Sequence, residues 1–316
     1  MKKLKEYITE GLFDQDSVNK INNSISGNII KATYKEEAPG CDIKIIGTYF
    51  VKDGLESVFL DGIDITDFIT NLGTNYDRSI ILQEFNEQFG ANVQSEFTVT
   101  FVFKKSPQLS HLFQGCSQLM SVDLSRLDIS KVRSISEMFY EATKIQEVVF
   151  PKGQNNMYLS TQYMFSYCMN LKRVDMSQCI FKHVTNMVNM FSDCEQLESF
   201  DISGLAKNNK SCTDFEDMFS YCKKIKEIDL IGFNMRGARS VKRMFHFCPN
   251  LKWIAIPFIS LENHDKVFYG CDNLEKVNVY WIKKNTIPSY YKKLMDALQS
   301  EYPKIIFDET KIHDPE

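Results

Sequence analysis

The pentapeptide MFSYC occurs at Met164–Cys168 and again at Met218–Cys222. A catalytic site needs its residues once, so a motif spelled twice points to architecture, and its interval constrains the fold more than any other feature. Aligned on the phenylalanine of MF, Phe113, Phe139, Phe165, Phe191, Phe219, Phe245 and Phe268 fall into register at gaps of 26, 26, 26, 28, 26 and 23 residues. Methionine precedes the ring in the five middle copies, and Leu112 and Val267 take its place at the ends. A cysteine follows three residues after the ring at Cys116, Cys168, Cys194, Cys222, Cys248 and Cys271, with Ala142 in the second copy. Three residues further on starts the pattern L-x-x-h-x-h, as in Leu171, Val174 and Met176.

Two periodicities alternate within each unit. The L-x-x-h-x-h stretch alternates with period two and predicts a short strand. In HVTNMVNMFSDC, Val184, Met187, Met190, Phe191 and Cys194 recur at three and four, which predicts a short helix with Thr185 or Asn186 as N-cap. The expected fold is an α/β repeat, a leucine-rich-repeat solenoid of about seven coils, with parallel strands on one face and short helices on the other. No coil can bury its apolar face alone, and stacking makes the core continuous.

The spelling MF-x-x-C-x-x-L-x-x-h-D-h-S, followed by V-T-N-M-x-x-M-F, resembles the BspA-like leucine-rich-repeat family. That family includes mycoplasma surface-lipoprotein repeats and many gut-bacterial surface proteins. Asp175–Ser203 is similar to one full consensus copy, and the resemblance runs from about Gln108 to Tyr280. It implies a solenoid and, because the understood members are mostly adhesins or interaction surfaces, a binding role. Exported members carry a signal peptide and lipobox. Here MKKLKEYITEGLFD has Glu6 and Glu10 interrupting any apolar core, so a cytoplasmic location is expected. No run approaches the ~18 apolar residues of a membrane span.

The flanks divide the chain further. Residues 1–14 read as an amphipathic leader helix with Leu4, Tyr7, Ile8 and Leu12 on one face. This leader also resembles those of large phages of gut Bacteroidales, which would make the protein a virion-associated or cargo component whose leader directs packaging. Residues 15–105 read as a β-rich N-terminal segment, with a polar loop over 15–40. Phe97–Phe103 is expected to pair with the first coil, and Asn75–Gly90 to form a helix ending at Gly90. The solenoid occupies 106–281. Residues 282–316 read as a cap, a helix with the stripe Tyr291, Leu294, Met295 and Leu298 followed by a strand at KIIF.

Chemistry is sparse. A net charge of −4 argues against nucleic acid as the main ligand. None of the nine cysteines forms a C-x-x-C pair, so reduced, buried thiols are expected, with the out-of-register Cys41, Cys179 and Cys212 the more exposed. One thiol per coil makes a row, whereas zinc needs four ligands converging on a point, so neither metal nor cofactor is expected. The five histidines lack ligand spacing, and the three acids of DGIDITD stand at intervals of three where a calcium loop has two. No nucleotide-binding or zinc-protease motif occurs, and a non-enzymatic protein is expected.

What remains is the strand face. Between the inward apolar positions of each strand stand Asp123, Asp175, Asp201 and Asp229, then Ala255 and Asn278, with Arg173 alongside. Two readings stay open. Each aspartate bonds a neighbouring serine or backbone amide as part of the repeat, or the acids form a strip for a basic segment of another protein. Trp253 and Tyr280, with Ile231, Pro257 and Trp281, add an aromatic patch that is either a binding hot spot or covered by the C-terminal helix. The main expectation is a protein–protein interaction scaffold, with the phage component as the alternative.

Overall fold

The computed structural model describes residues 28–51, 54–71, 78–206, 212–233, 235, 237–257, 263–282 and 289–312. The leader at 1–14 lies outside these residues, as do Pro288 and the side chains of Trp281, Tyr291 and Leu294.

The seven phenylalanines form one buried column. Consecutive rings from Phe113 to Phe268 lie 5.2–6.0 Å apart and within 11° of parallel. They delimit about six turns of a β-solenoid, each of roughly the 26 residues read from the sequence. The column is closed edge-on at both ends, by Phe101 against Phe113 and by Tyr302 against Phe268.

The expected helices are absent from the repeats, and the backbone shows why. The amides of Thr161, Tyr163, Phe165 and Tyr167 donate to carbonyls of Asn186, Val188, Met190 and Ser192 in the next coil, at 2.9–3.1 Å. Those between them, Met164, Ser166 and Cys168, donate three residues back, at 3.0–3.2 Å. Donors thus alternate between a local turn and the neighbouring coil, whereas a helix sends every amide four residues back. The geometry requires left-handed backbone two residues before and two after each ring. Tyr163 and Tyr167 have φ of 55° and 61°, and Asn189 and Asp193 have 54° and 60°. Such conformations cost a non-glycine residue about 1–2 kcal/mol, which the inter-coil bonds offset. The i, i+3 closure of overlapping turns also puts apolar side chains at spacings of three, which is what mimicked a helical stripe. Asn186, expected as a helix cap, instead accepts the Val188 amide at 2.8 Å and starts the turn run. Among the described residues the one helix within the repeats is a single turn, Ser203–Ala206, in the 28-residue coil.

In chain order the elements are β1 (Asn28–Lys35), β2 (Ile43–Ile46), β3 (Leu55–Leu60), β4 (Ile63–Asp64), α1 (Thr66–Asn71), β5 (Arg78–Ile80), α2 (Leu82–Phe89), β6 (Glu96–Phe103), β7 (Leu119–Arg126), β8 (Glu147–Val149), β9 (Gly153–Ser160), β10 (Arg173–Asp175), β11 (Cys179–Asn186), β12 (Ser199–Asp201), α3 (Ser203–Ala206), β13 (Glu227–Asp229), β14 (Trp253–Pro257), β15 (Lys276–Ile282), α4 (Ser289–Glu301) and β16 (Ile306–Ile312). The L-x-x-h-x-h strands pair in parallel as β7–β8, β10–β12 and β13–β14–β15. A second parallel ladder, β9–β11, runs along another side of each coil and is prolonged by single bridges such as Ser134–Ser160 and Asp214–Ser240. Asn155 sits fully buried in β9. Its side-chain amide donates to the carbonyls of Ile129 and Val132 at 2.6 and 2.7 Å, and its oxygen accepts the Met157 amide.

At the N-terminal end the sheet order is β4-β3-β6-β1-β7-β8. The strand on the first coil is therefore β1, antiparallel to β7, and β6 lies one place further out. Both expectations there are corrected: Phe97–Phe103 does not pair with the coil, and part of the polar 15–40 stretch is a strand. The sequence IIKATY alternates enough for β1 to cover Tyr34, which is wholly buried, stacked on Phe97 and bonded through its hydroxyl to the Ile45 carbonyl at 2.7 Å. The helix expected over 75–90 is shorter, α2, and ends as expected at left-handed Gly90. Gly47 docks this segment on the coil. Its amide bonds the Leu112 carbonyl at 2.8 Å, and an added Cβ would meet the His111 carbonyl oxygen. At the other end β16 adds a parallel strand to β15, with Leu298 of α4 buried against the core.

Candidate functional site on the strand face

The outward strand positions carry the aspartates, each held the same way. One carboxylate oxygen of Asp123, Asp175, Asp201 and Asp229 accepts the amide two residues on, from Ser125, Ser177, Ser203 and Ile231, at 2.8–3.0 Å. This closes the bend that leaves each strand, and it answers the sequence pattern with a local physical cause. The bonds from Ser177, with Arg173 as a lesser contributor, hold the Asp175 carboxyl below the usual carboxylate range. A carboxyl depressed by folding stabilises the fold above its unfolded pKa and loses that contribution as pH falls through its folded value, so this contribution is complete at neutral pH.

The structure divides the expected site residues among three sheets. Asp123 faces Lys31 on one side and Val149 on the other. Arg173, Asp175 and Asp201 stand together on β10–β12, with Asp175 directly across from Asp201 and Arg173 across from Ser199. Asp229, Trp253 and Tyr280 belong to the last sheet, where Asp229 neighbours Ala255, and Lys276 reaches Asp308 at 2.8 Å. The acidic strip is thus interrupted by Val149 and again by Ala255 and Asn278. The aromatic patch is partly covered, with Trp253 and Tyr280 half-buried and Pro257 buried.

One feature of this face had no signal in the repeat pattern. β8 and β10 belong to successive coils yet are not paired, and a cleft of about 480 Å³ lies between them. Val149, Phe150, Lys152, Lys172, Arg173 and Asp175 line it. Val149 is 43% exposed at its edge.

The cysteine row is structural. Cys168, Cys194, Cys222, Cys248 and Cys271 each donate their thiol to the carbonyl of the phenylalanine in the preceding coil, at 2.8–3.2 Å. A small side chain with a weak donor suits this buried carbonyl, which already accepts one amide. Cys179 and Cys212, expected to be exposed, are buried; Cys41 alone is partly open. Burial pushes the Cys116 and Cys179 thiols up to about 12 and those of Cys168 and Cys194 higher still. In the native protein one thiol is expected to react rapidly with a maleimide and the other eight only after denaturation, counted by mass spectrometry. Rapid labelling of several in-register cysteines would contradict the packing. Among the described residues no three His, Cys, Asp or Glu side chains converge as metal ligands do, and no helix is long and apolar enough to cross a membrane.

A family model described as "Mycoplasma protein of unknown function, DUF285" matches residues 82–173 and 159–281, more than half of the chain and all of the repeats. The match does not reach residues 1–14, so the phage likeness of the leader gains no support from it. No curated protein and no solved structure matches the chain.

Proposed function

Because the chain belongs to the DUF285 family, whose description assigns no role, its function has to be read from its own surface, and we propose a non-enzymatic scaffold that binds another protein through the outward strand face. The observation that carries this reading is the group Arg173, Asp175 and Asp201, all exposed and held in fixed register beside the cleft. Side chains spaced by a rigid ladder lose little entropy on binding, which suits them to recognition. Exposed carboxylates on neighbouring strands favour a partner segment with basic side chains. The nine unpaired thiols support a reducing, cytoplasmic setting.

The test separates charge from fold. Asparagine keeps the oxygen that accepts the amide two residues on and removes the charge; alanine removes both. Asp175→Ala is expected to cost about 0.5–1 kcal/mol in urea unfolding and Asp175→Asn much less. Peptides selected from a display library on the immobilised full chain are expected to be rich in Lys and Arg. They should lose about tenfold in affinity for the triple variant Asp175→Asn, Asp201→Asn, Asp229→Asn. Unchanged affinity for the folded triple variant would make the aspartates parts of the bend alone.

A further inference from the structure

The turn run that replaces the expected helices carries a surface of its own. Tyr140 contacts Tyr163 and Tyr167 edge-on, with centroids 6.1 and 5.8 Å away and planes at 89° and 85°. Edge-on packing leaves ring faces open to a ligand, and Tyr167 is 38% exposed. The strip continues over later coils as Tyr221 stacked on Phe247 at 5.1 Å, with Tyr269 next to it and 53% exposed.

Carboxylates accompany the rings. Glu137 and Glu141 flank Tyr140 in the chain, and Asp193 lies one coil beyond Tyr167, close enough that its charge is the first cause of the raised Tyr167 phenol pKa. Stretches 134–143, 153–171 and 183–206 contain no Lys or Arg. Among the described residues Glu141 and Asp193 are in no ion pair. The next coil shows the complement. There Arg243 forks onto Asp217 at 2.6 Å and reaches Glu216 at 2.9 Å, so the chain supplies its own guanidinium to those acids. In the tyrosine coils the position of Arg243 is held by Glu137, Tyr163 and Asn189, so no guanidinium stands there, and the cation acting on Asp193 is Lys223. Ser166, which holds in its coil the register position that Tyr140 holds in the one before, has a buried hydroxyl with no partner among the described residues.

We propose that Tyr140, Tyr163 and Tyr167, with Glu141 and Asp193, form a docking surface for an arginine-bearing segment of a protein partner, separate from the strand face. A guanidinium stacks on a tyrosine face and pairs with a carboxylate at its edge, and arginine does both better than lysine.

Fluorescence anisotropy with labelled octa-arginine and octa-lysine on the full chain tests this. The arginine peptide is expected to bind severalfold more tightly than the lysine peptide, because a merely acidic surface draws both alike. Tyr140→Leu with Tyr167→Leu keeps apolar cover, removes the ring faces and is expected to weaken octa-arginine about tenfold. Glu141→Gln with Asp193→Asn should do the same and decides the matter if the leucine pair fails to fold by circular dichroism. The turn-run variants are also made in the strand-face asparagine triple, which removes the basic-segment site proposed above; they should still weaken octa-arginine there, so failure of either surface reads separately. Equal affinity for the two peptides, or binding indifferent to both turn-run variants, would overturn the proposal. So would an oligosaccharide that binds through the tyrosines while neither peptide does.

Discussion

Replacing Phe191 by alanine is expected to destabilise the chain by about 3–5 kcal/mol, the range for removing a large buried aromatic. Phe191 is fully buried between Phe165 and Phe219, each 5.5 Å away and within 10° of parallel, with Phe200 tilted against it at 6.2 Å. Neighbouring rings are fixed by inter-coil hydrogen bonds on both sides, so the hole cannot close by moving one coil. Phe191→Leu should cost less than half as much, since it keeps much of the volume. A solenoid holds together through nearest-neighbour interfaces, so breaking the middle of the column is expected to lower cooperativity as well. The urea slope should then fall and the transition broaden. A loss under about 1 kcal/mol would mean that the column is not a principal source of stability.

The second large effect is expected at Asn155. Its side chain satisfies two carbonyls and one amide in a site from which water is excluded. Asn155→Ala leaves those three groups without that partner, and about 2–4 kcal/mol is expected by urea unfolding. Asn155→Asp keeps the acceptor for Met157 but loses both donations and buries a charge, so it should be at least as harmful. Near-neutral behaviour of either variant would show that the carbonyls of Ile129 and Val132 find other partners.

The repeat, the inward positions and the parallel strands were legible because burial repeats at a fixed interval. Val174 and Met176 are inward wherever the coil lies, and the alternation that marks them survives any choice for the rest of the unit. The turn run was misread because Met187, Met190, Phe191 and Cys194 keep helical spacing in either conformation. The distinguishing signal was Gly115 and Gly270, which stand two residues after the ring in the first and last coils, where φ is 69° and 76°. Glycine there, with Asp193 at the same place, points to left-handed backbone, which a helix interior does not contain. The site was legible by position and not by context. Asp175 could be placed outward, but its bond to the Ser177 amide and the cleft beside it depend on how β8 departs from β10. The strand β1 was missed because its pairing with β7 joins residues some ninety positions apart, beyond any local pattern.

Hydrogen-bond scalar couplings across the turn run test the central structural claim most directly, because they identify the acceptor of each amide. The account predicts a coupling from the Phe165 amide nitrogen to the Met190 carbonyl carbon in the next coil, with the same pairing between Phe191 and Met218. A coupling from Phe165 to the carbonyl of Thr161, four residues back, would restore the helix and contradict the solenoid described.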